Sequence, residues 1–274
     1  MPFYKNKVAV ITGGASGIGR ALGEALLKEG ARVVLADINA DALKATSAAL
    51  EEKGSVHAEV LDVCDREAMR RTLQKVKSQF GQIDYVFNNA GIAVLGLMHE
   101  MEPHHWESLI RINIEGVVYG VLEAYEIMRE QGHGHIVNTA SVAGLVPTPG
   151  LTAYGMTKHA VVGLSESLRC EAVRYGVNVS AVCPGLIRTP LVDHLAYLNV
   201  DKEKVLSSSM VRFASVEHCA QATLRGVRRN QALIVITAMG FGMWWLYRLV
   251  PQWFSGFIGG GFMRTMRRTL WRTP

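Results

Sequence analysis

Short apolar runs alternate with amphipathic stretches along most of the 274 residues. The runs at Val8–Thr12, Val33–Ala36, Val56–Leu61, Tyr85–Asn88, Ile136–Thr139, Val177–Val182 and Ala232–Ile236 read as strands. Most are continuously apolar rather than alternating, the pattern of strands covered on both faces of a parallel sheet. Helical periodicity fills the intervals at about 17–29, 40–53, 65–80, 104–130, 153–175 and 215–229. A β-then-α order of this kind predicts an α/β fold, one doubly wound parallel sheet with helices on both faces. Residues 1–237 read as a single domain. The stretch at about 190–211 breaks the alternation and is rich in turn residues, so it is expected to be an inserted loop with helical pieces beside a ligand cleft.

Composition changes this picture in two places. Cys64, Cys170, Cys183 and Cys219 are scattered, with no CxxC pair and no histidine at zinc-ligand spacing, so reduced thiols and a cytoplasmic setting are expected. No charged segment followed by an apolar run opens the chain, so no secretory signal is expected. His99, His104 and His105 cluster without a cysteine or carboxylate arrangement that would make a metal site, and no metal is expected. Charge is unevenly placed: from His218 to Pro274 there are eight arginines and no acidic residue, so of the +5 total the rest of the chain carries −3. Such asymmetry points to an anionic partner. No nucleic-acid-binding motif accompanies the arginines, so nucleic acid is not the expected one.

Three features carry chemistry. Thr12-Gly13-Gly14-Ala15-Ser16-Gly17-Ile18-Gly19 joins the first strand to the first helix. Glycines there let the backbone turn and approach a pyrophosphate, which the helix N-terminus attracts. Asp37 ends the second strand, 18 residues beyond Gly19, where a carboxylate accepts from an adenosine ribose diol and repels a 2′-phosphate. Ile38 follows it, where an arginine would favour a phosphate. These features select NAD over NADP, although Arg20 would suit the phosphate. Third, Tyr154 and Lys158 lie four apart on a predicted helix and share a face. An ammonium one turn away favours the phenolate, making Tyr154 able to take a proton from an alcohol or return it to a carbonyl. Ser141, at the end of the fifth strand, can hydrogen-bond the substrate oxygen.

With these residues in order, the sequence resembles the short-chain dehydrogenase/reductase family through about residue 237. Thr12–Gly19 is similar to its TGxxxGxG loop, Asp62-Val63 to its pair beside the adenine, and Asn88-Asn89-Ala90-Gly91 to its NNAG motif. Asn113, Ser141, Tyr154 and Lys158 fall on its catalytic positions, and Pro184-Gly185 with Thr189 match its PGxxxT segment. The resemblance implies a Rossmann-type fold binding NAD. Gly13, Ser16, Gly17, Ile18 and Gly19 would hold the pyrophosphate, Asp37 and Ile38 the adenosine ribose, and Asp62 and Val63 the adenine. Asn89, Ala90, Gly91, Tyr154, Lys158, Pro184, Gly185, Ile187 and Thr189 would complete the cofactor contacts. It further implies that Asn113 positions a water linking Lys158 to solvent. It implies too a homodimer or homotetramer built through the helices at 104–130 and 153–175.

The last segment, 238–274, departs from the rest. Met239–Met263 contains one charged residue, Arg248, and four of the five tryptophans lie between 244 and 271. Pro251 and Gly259–Gly261 interrupt any long helix, so no membrane span is expected. Three readings stay open: a lid or subunit contact, a segment lying in an anionic membrane interface beside Arg264, Arg267, Arg268 and Arg272, or both at once. The expected function is NAD-dependent interconversion of a secondary alcohol and a ketone on a hydrophobic, steroid- or lipid-like substrate. The alternatives are a reductase of a small or carrier-bound carbonyl and a cofactor-binding scaffold without turnover.

Overall fold

The computed structural model describes residues 2–207, 213–257, 260, 261, 264, 265, 269 and 271. The strands are β1 (Val8–Thr12), β2 (Arg32–Asp37), β3 (Val56–Val60), β4 (Tyr85–Asn88), β5 (Val94–Leu95), β6 (Gly134–Thr139), β7 (Val177–Cys183), β8 (Ala196–Tyr197) and β9 (Leu233–Val235). The helices are α1 (Gly17–Lys28), α2 (Ala40–Leu50), α3 (Arg66–Phe80), α4 (Pro103–Ile110), α5 (Gly116–Gln131), α6 (Thr152–Ala172), α7 (Pro190–His194), α8 (Lys202–Ser207), α9 (Val216–Arg228), α10 (Ala238–Leu249) and α11 (Pro251–Phe257).

Seven strands pair in parallel in the order β3-β2-β1-β4-β6-β7-β9. Alternate residues of one strand enter opposite layers: Val8 and Val10 pack with α3, α5 and α6, while Ala9 and Ile11 pack with α1, α2 and α9. This two-sided burial accounts for the continuous apolar runs. The order reverses between β1 and β4, so the loops leaving their carboxyl ends diverge and open a crevice there.

The structure corrects the sequence expectation at two places and fills it in at a third. The helix expected over 104–130 is interrupted: α4 passes through a π-helical turn, Arg111–Glu115, before α5 begins. Asn113 lies in that turn, and π turns within helices mark functional sites more often than chance. The inserted loop contains α7, β8 and α8 over the described part of 190–211; 208–211 lie outside the described residues. Finally, β5 and β8 form a small parallel sheet of their own, which no sequence pattern of two residues per strand announces.

Candidate active site

The loop after β1 is shaped by glycine. Gly13 has φ +65° and Gly17 φ +53°, and a Cβ at Gly19 would overlap the carbonyl oxygen of Gly13. Only glycine lets the helix start this close to the turn. Ser16 is the N-cap of α1 but its side chain makes no capping bond, so the first N–H groups of the helix stay directed at the crevice. Thr12 ties this loop to the one after β4: its hydroxyl accepts from Asn89 N at 2.9 Å and Ala90 N at 3.1 Å. Asn89 Nδ2 returns a bond to the Thr12 carbonyl at 3.0 Å. The glycine motif begins at Thr12, but nothing in the sequence announces this clamp.

Asp37 reaches back over the same loop. Its Oδ2 accepts from Ala15 N and its Oδ1 from Asn39 N, both at 3.0 Å. Two bonds fix the carboxylate without using all of its acceptor capacity. Ile38 beside it is exposed, and Ile18 is half-buried on α1. Asp62 is exposed after β3 and accepts from Cys64 N at 2.9 Å, while Val63 is buried against Gly116. Thr189 stands over Gly17, at 3.4 Å from where a Cβ would be. Pro184 O accepts from Val142 N, Gly185 packs against Thr237, and Ile187 is buried and bridges to Ala214. The loops after β1, β2, β4 and β7 therefore surround one crevice.

The second cluster lies at the end of β6 and the start of α6. Ser141 caps the turn Val142–Gly144, its Oγ accepting from Ala143 N at 3.1 Å. Tyr154 and Lys158 rise from α6 as the spacing requires, with Lys158 Nζ 5.6 Å from the Tyr154 ring centre. Lys158 Nζ donates to Thr139 O at 2.8 Å. Asn113 is fully buried: Oδ1 accepts from Ile92 N, and Nδ2 donates to Ile92 O and to Thr157 Oγ1 at 3.1 Å. Thr157 in turn donates to Tyr154 O at 2.8 Å. Thr157, which no sequence motif marks, couples the π turn to the backbone of α6 at Tyr154. Gly91 marks where the groups meet, since a Cβ there would stand 3.0 Å from Asn113 Oδ1 and 3.5 Å from Lys158 Nζ.

The electrostatics differ from the simple expectation. Burial raises the Tyr154 phenol above its ordinary value, and its hydrogen bond with Ser141 pulls it part of the way back. Burial also pushes Lys158 down, to about 8. The lysine does not by itself make a phenolate here, because the low-polarity surroundings disfavour both charged forms. A protonated phenol beside a hydroxyl donor suits delivery of a proton to a carbonyl oxygen. His159 points elsewhere, its Nδ1 2.9 Å from Gly155 O. Among the described residues, no group of three or more metal-ligating side chains comes together.

The sequence and the fold have clear counterparts. The family model for short chain dehydrogenase matches residues 7–197. Levodione reductase of Leifsonia aquatica is 38% identical over 197 residues, which span 70% of this chain and 73% of that protein. The 3-oxoacyl-acyl-carrier-protein reductase FabG of Thermotoga maritima is 36% identical over 224 residues, 80% of this chain and 89% of that one. The crystal structure of a short chain dehydrogenase/reductase from Burkholderia phymatum in complex with NAD superposes with a TM-score of 0.80 at 29% identity, covering 92% of this chain and 96% of that one. This chain belongs to the short-chain dehydrogenase family, as an oxidoreductase acting on carbonyl and alcohol groups.

Proposed function

We propose that the protein interconverts a hydrophobic secondary alcohol and its ketone with NAD, Tyr154 transferring the proton. The observation that carries this reading is the convergence of Ser141, Tyr154 and Lys158 at the mouth of a glycine-lined crevice. The residues fit the cofactor. Uncapped N–H groups at α1 suit a pyrophosphate, and Asp37, held over the loop, favours a ribose diol over a 2′-phosphate. NAD supplies the hydride acceptor or donor. The chain supplies the rest: Ser141 and Tyr154 fix the substrate oxygen, Lys158 stabilises negative charge at the phenol oxygen, and Asn113 holds the π turn and Thr157 behind Tyr154. The apolar setting of Tyr154, among Ile92, Val94, Met101, Trp106, Ala196 and Leu198, supports a hydrophobic substrate. FabG favours a second reading, in which the ketone is carrier-bound.

The surroundings of the site add to this reading. The four cysteines are free thiols, in keeping with the cytoplasm. Leu122 on α5, and Met156 and Val173 on and beyond α6, are exposed apolar groups suited to a dimer or tetramer contact. The inner face of α10 and α11 packs on the domain through Met243, Trp244, Tyr247 and Phe254. Its outer face exposes Phe241, Trp245, Leu249, Trp253 and Phe257. Among the described residues no helix is long and apolar enough to cross a membrane. An outer face of this kind, in a segment (238–274) of five arginines and no acid, suits peripheral association with an anionic bilayer. Arg267, Arg268 and Arg272 lie outside the described residues.

The testing experiment offers steroid, aryl and aliphatic ketones and alcohols with NAD(H) and NADP(H), following nicotinamide absorbance. Turnover of apolar ketones with NADH as the better cofactor is expected. Strong preference for NADPH, or for acyl-carrier substrates alone, overturns the corresponding part.

A further inference from the structure

The small sheet of β5 and β8 pairs Val94 with Ala196 and Leu95 with Tyr197. Successive residues of a strand point to opposite faces. On one face Val94, Ala196 and the following Leu198 pack with Tyr154. On the other, Leu95 and Tyr197 pack with Trp271, from the far end of the chain. The sheet is therefore held between the candidate catalytic tyrosine and a tryptophan more than a hundred residues away. Two strands of two residues have too little ladder to stand without support on both faces.

Trp271 is only 6% exposed. It shares one apolar cluster with all three segments that border the substrate side: Leu95 and Leu97 from the first, Leu151 from the second, and Tyr197 and Val200 from the third. Its ring lies on Gly150, where a Cβ would come within 3.0 Å, and its backbone bridges Val200 in antiparallel sense. The indole Nε1 donates to Glu100 Oε2 at 3.3 Å. The same oxygen accepts from Leu97 N at 2.7 Å, and Oε1 accepts from Asn199 Nδ2 at 3.4 Å. One carboxylate thus joins the tail to the first and third segments, while the ring covers the second.

We propose that Trp271, seated on Glu100, is a positioning residue that holds the β5–β8 sheet and the attached segment Pro190–Ser207 against Tyr154. It touches no reacting group and acts through the sheet. The consequence for activity rests on the reading of Tyr154 as the proton-transfer group; the consequence for the segment's closure does not. Without the indole, Leu95 and Tyr197 lose their apolar cover, and the third segment keeps its few ladder bonds to the first, the Asn199–Glu100 bond and the packing on the Tyr154 face alone.

The test compares the full chain with Trp271→Ala, Trp271→Phe, Glu100→Gln and Tyr154→Phe, each with NADH present. Trypsin probes closure, because Lys202 and Lys204 lie in the segment. Trp271→Ala is expected to be cut there several times faster while keeping cooperative thermal unfolding and NADH affinity. For acetophenone, or the best ketone of the panel, its KM is expected to rise about tenfold with a smaller change in kcat. Trp271→Phe refills the site and should restore most of both losses; Glu100→Gln, which keeps an acceptor without the charge, should fall between. Parental cutting in Trp271→Ala, or faster cutting with parental KM, overturns the proposal. Undiminished turnover by Tyr154→Phe would instead overturn the catalytic reading, leaving the cutting rates to decide on closure.

Discussion

The crevice between β1 and β4 and the cleft beside β5 and β8 are built by opposite means. The crevice is local: four loops, each directly following a strand, are locked by glycine contacts, by the Asp37–Ala15 bond and by the Thr12–Asn89 exchange. The cleft is remote: segments around residues 95, 151 and 197 meet through a few backbone bonds and a shared apolar cluster that includes Trp271, whose indole donates to Glu100. A binding place that every substrate pairing shares is made rigid by the shortest chain paths. On the proposed function, the place that would distinguish substrates is made from loops and a tail, where sequence can vary without disturbing the sheet.

Substitutions can separate the two regions. Lys158→Met should have the largest effect, because Lys158 faces both of them. A loss in kcat of about 10²–10⁴-fold is expected in steady-state assays, with weaker NADH binding. Gly19→Ala attacks the crevice alone. The new methyl overlaps the Gly13 carbonyl, and overpacking of this kind costs about 1–3 kcal/mol. It should lower Tm and raise the Kd for NADH, while the ratio of kcat/KM values between two ketones stays constant. Asp37→Ala should shrink the preference for NAD over NADP by about tenfold, as expected for one charge-assisted hydrogen bond.

The smallest effect is one of pH. With the Tyr154 phenol raised, reduction should be level through neutrality and fall as Lys158 loses its proton above about 8. Oxidation needs the phenolate and should rise with pH over the same range. Opposite slopes of kcat/KM in the two directions check this; oxidation falling as pH rises contradicts it.

Much of the crevice is legible in the sequence because its determinants are contiguous. A glycine run after an apolar strand, and an acid at the end of the next, each require only local geometry. Tyr154 and Lys158 are legible because helical spacing fixes their common face. The π turn at Asn113 is not, since 104–130 keeps an ordinary amphipathic pattern through it. Nor are Thr157 and Glu100, which look like any hydroxyl or surface acid until the fold places Asn113 and Trp271 beside them. The burial that raises the tyrosine is also not legible, because the sequence shows the nearby lysine but not the apolar surroundings that the fold builds around both.

The most direct measurement follows nicotinamide absorbance for the parent protein and Tyr154→Phe side by side, on the best ketone of the panel, with NADH binding measured by fluorescence on the same samples. Equal NADH binding is predicted, with oxidation of NADH by the parent and a loss of about 10²-fold or more in the variant. Equal binding with near-parental turnover by Tyr154→Phe would contradict the assignment of Tyr154 as the proton-transfer group.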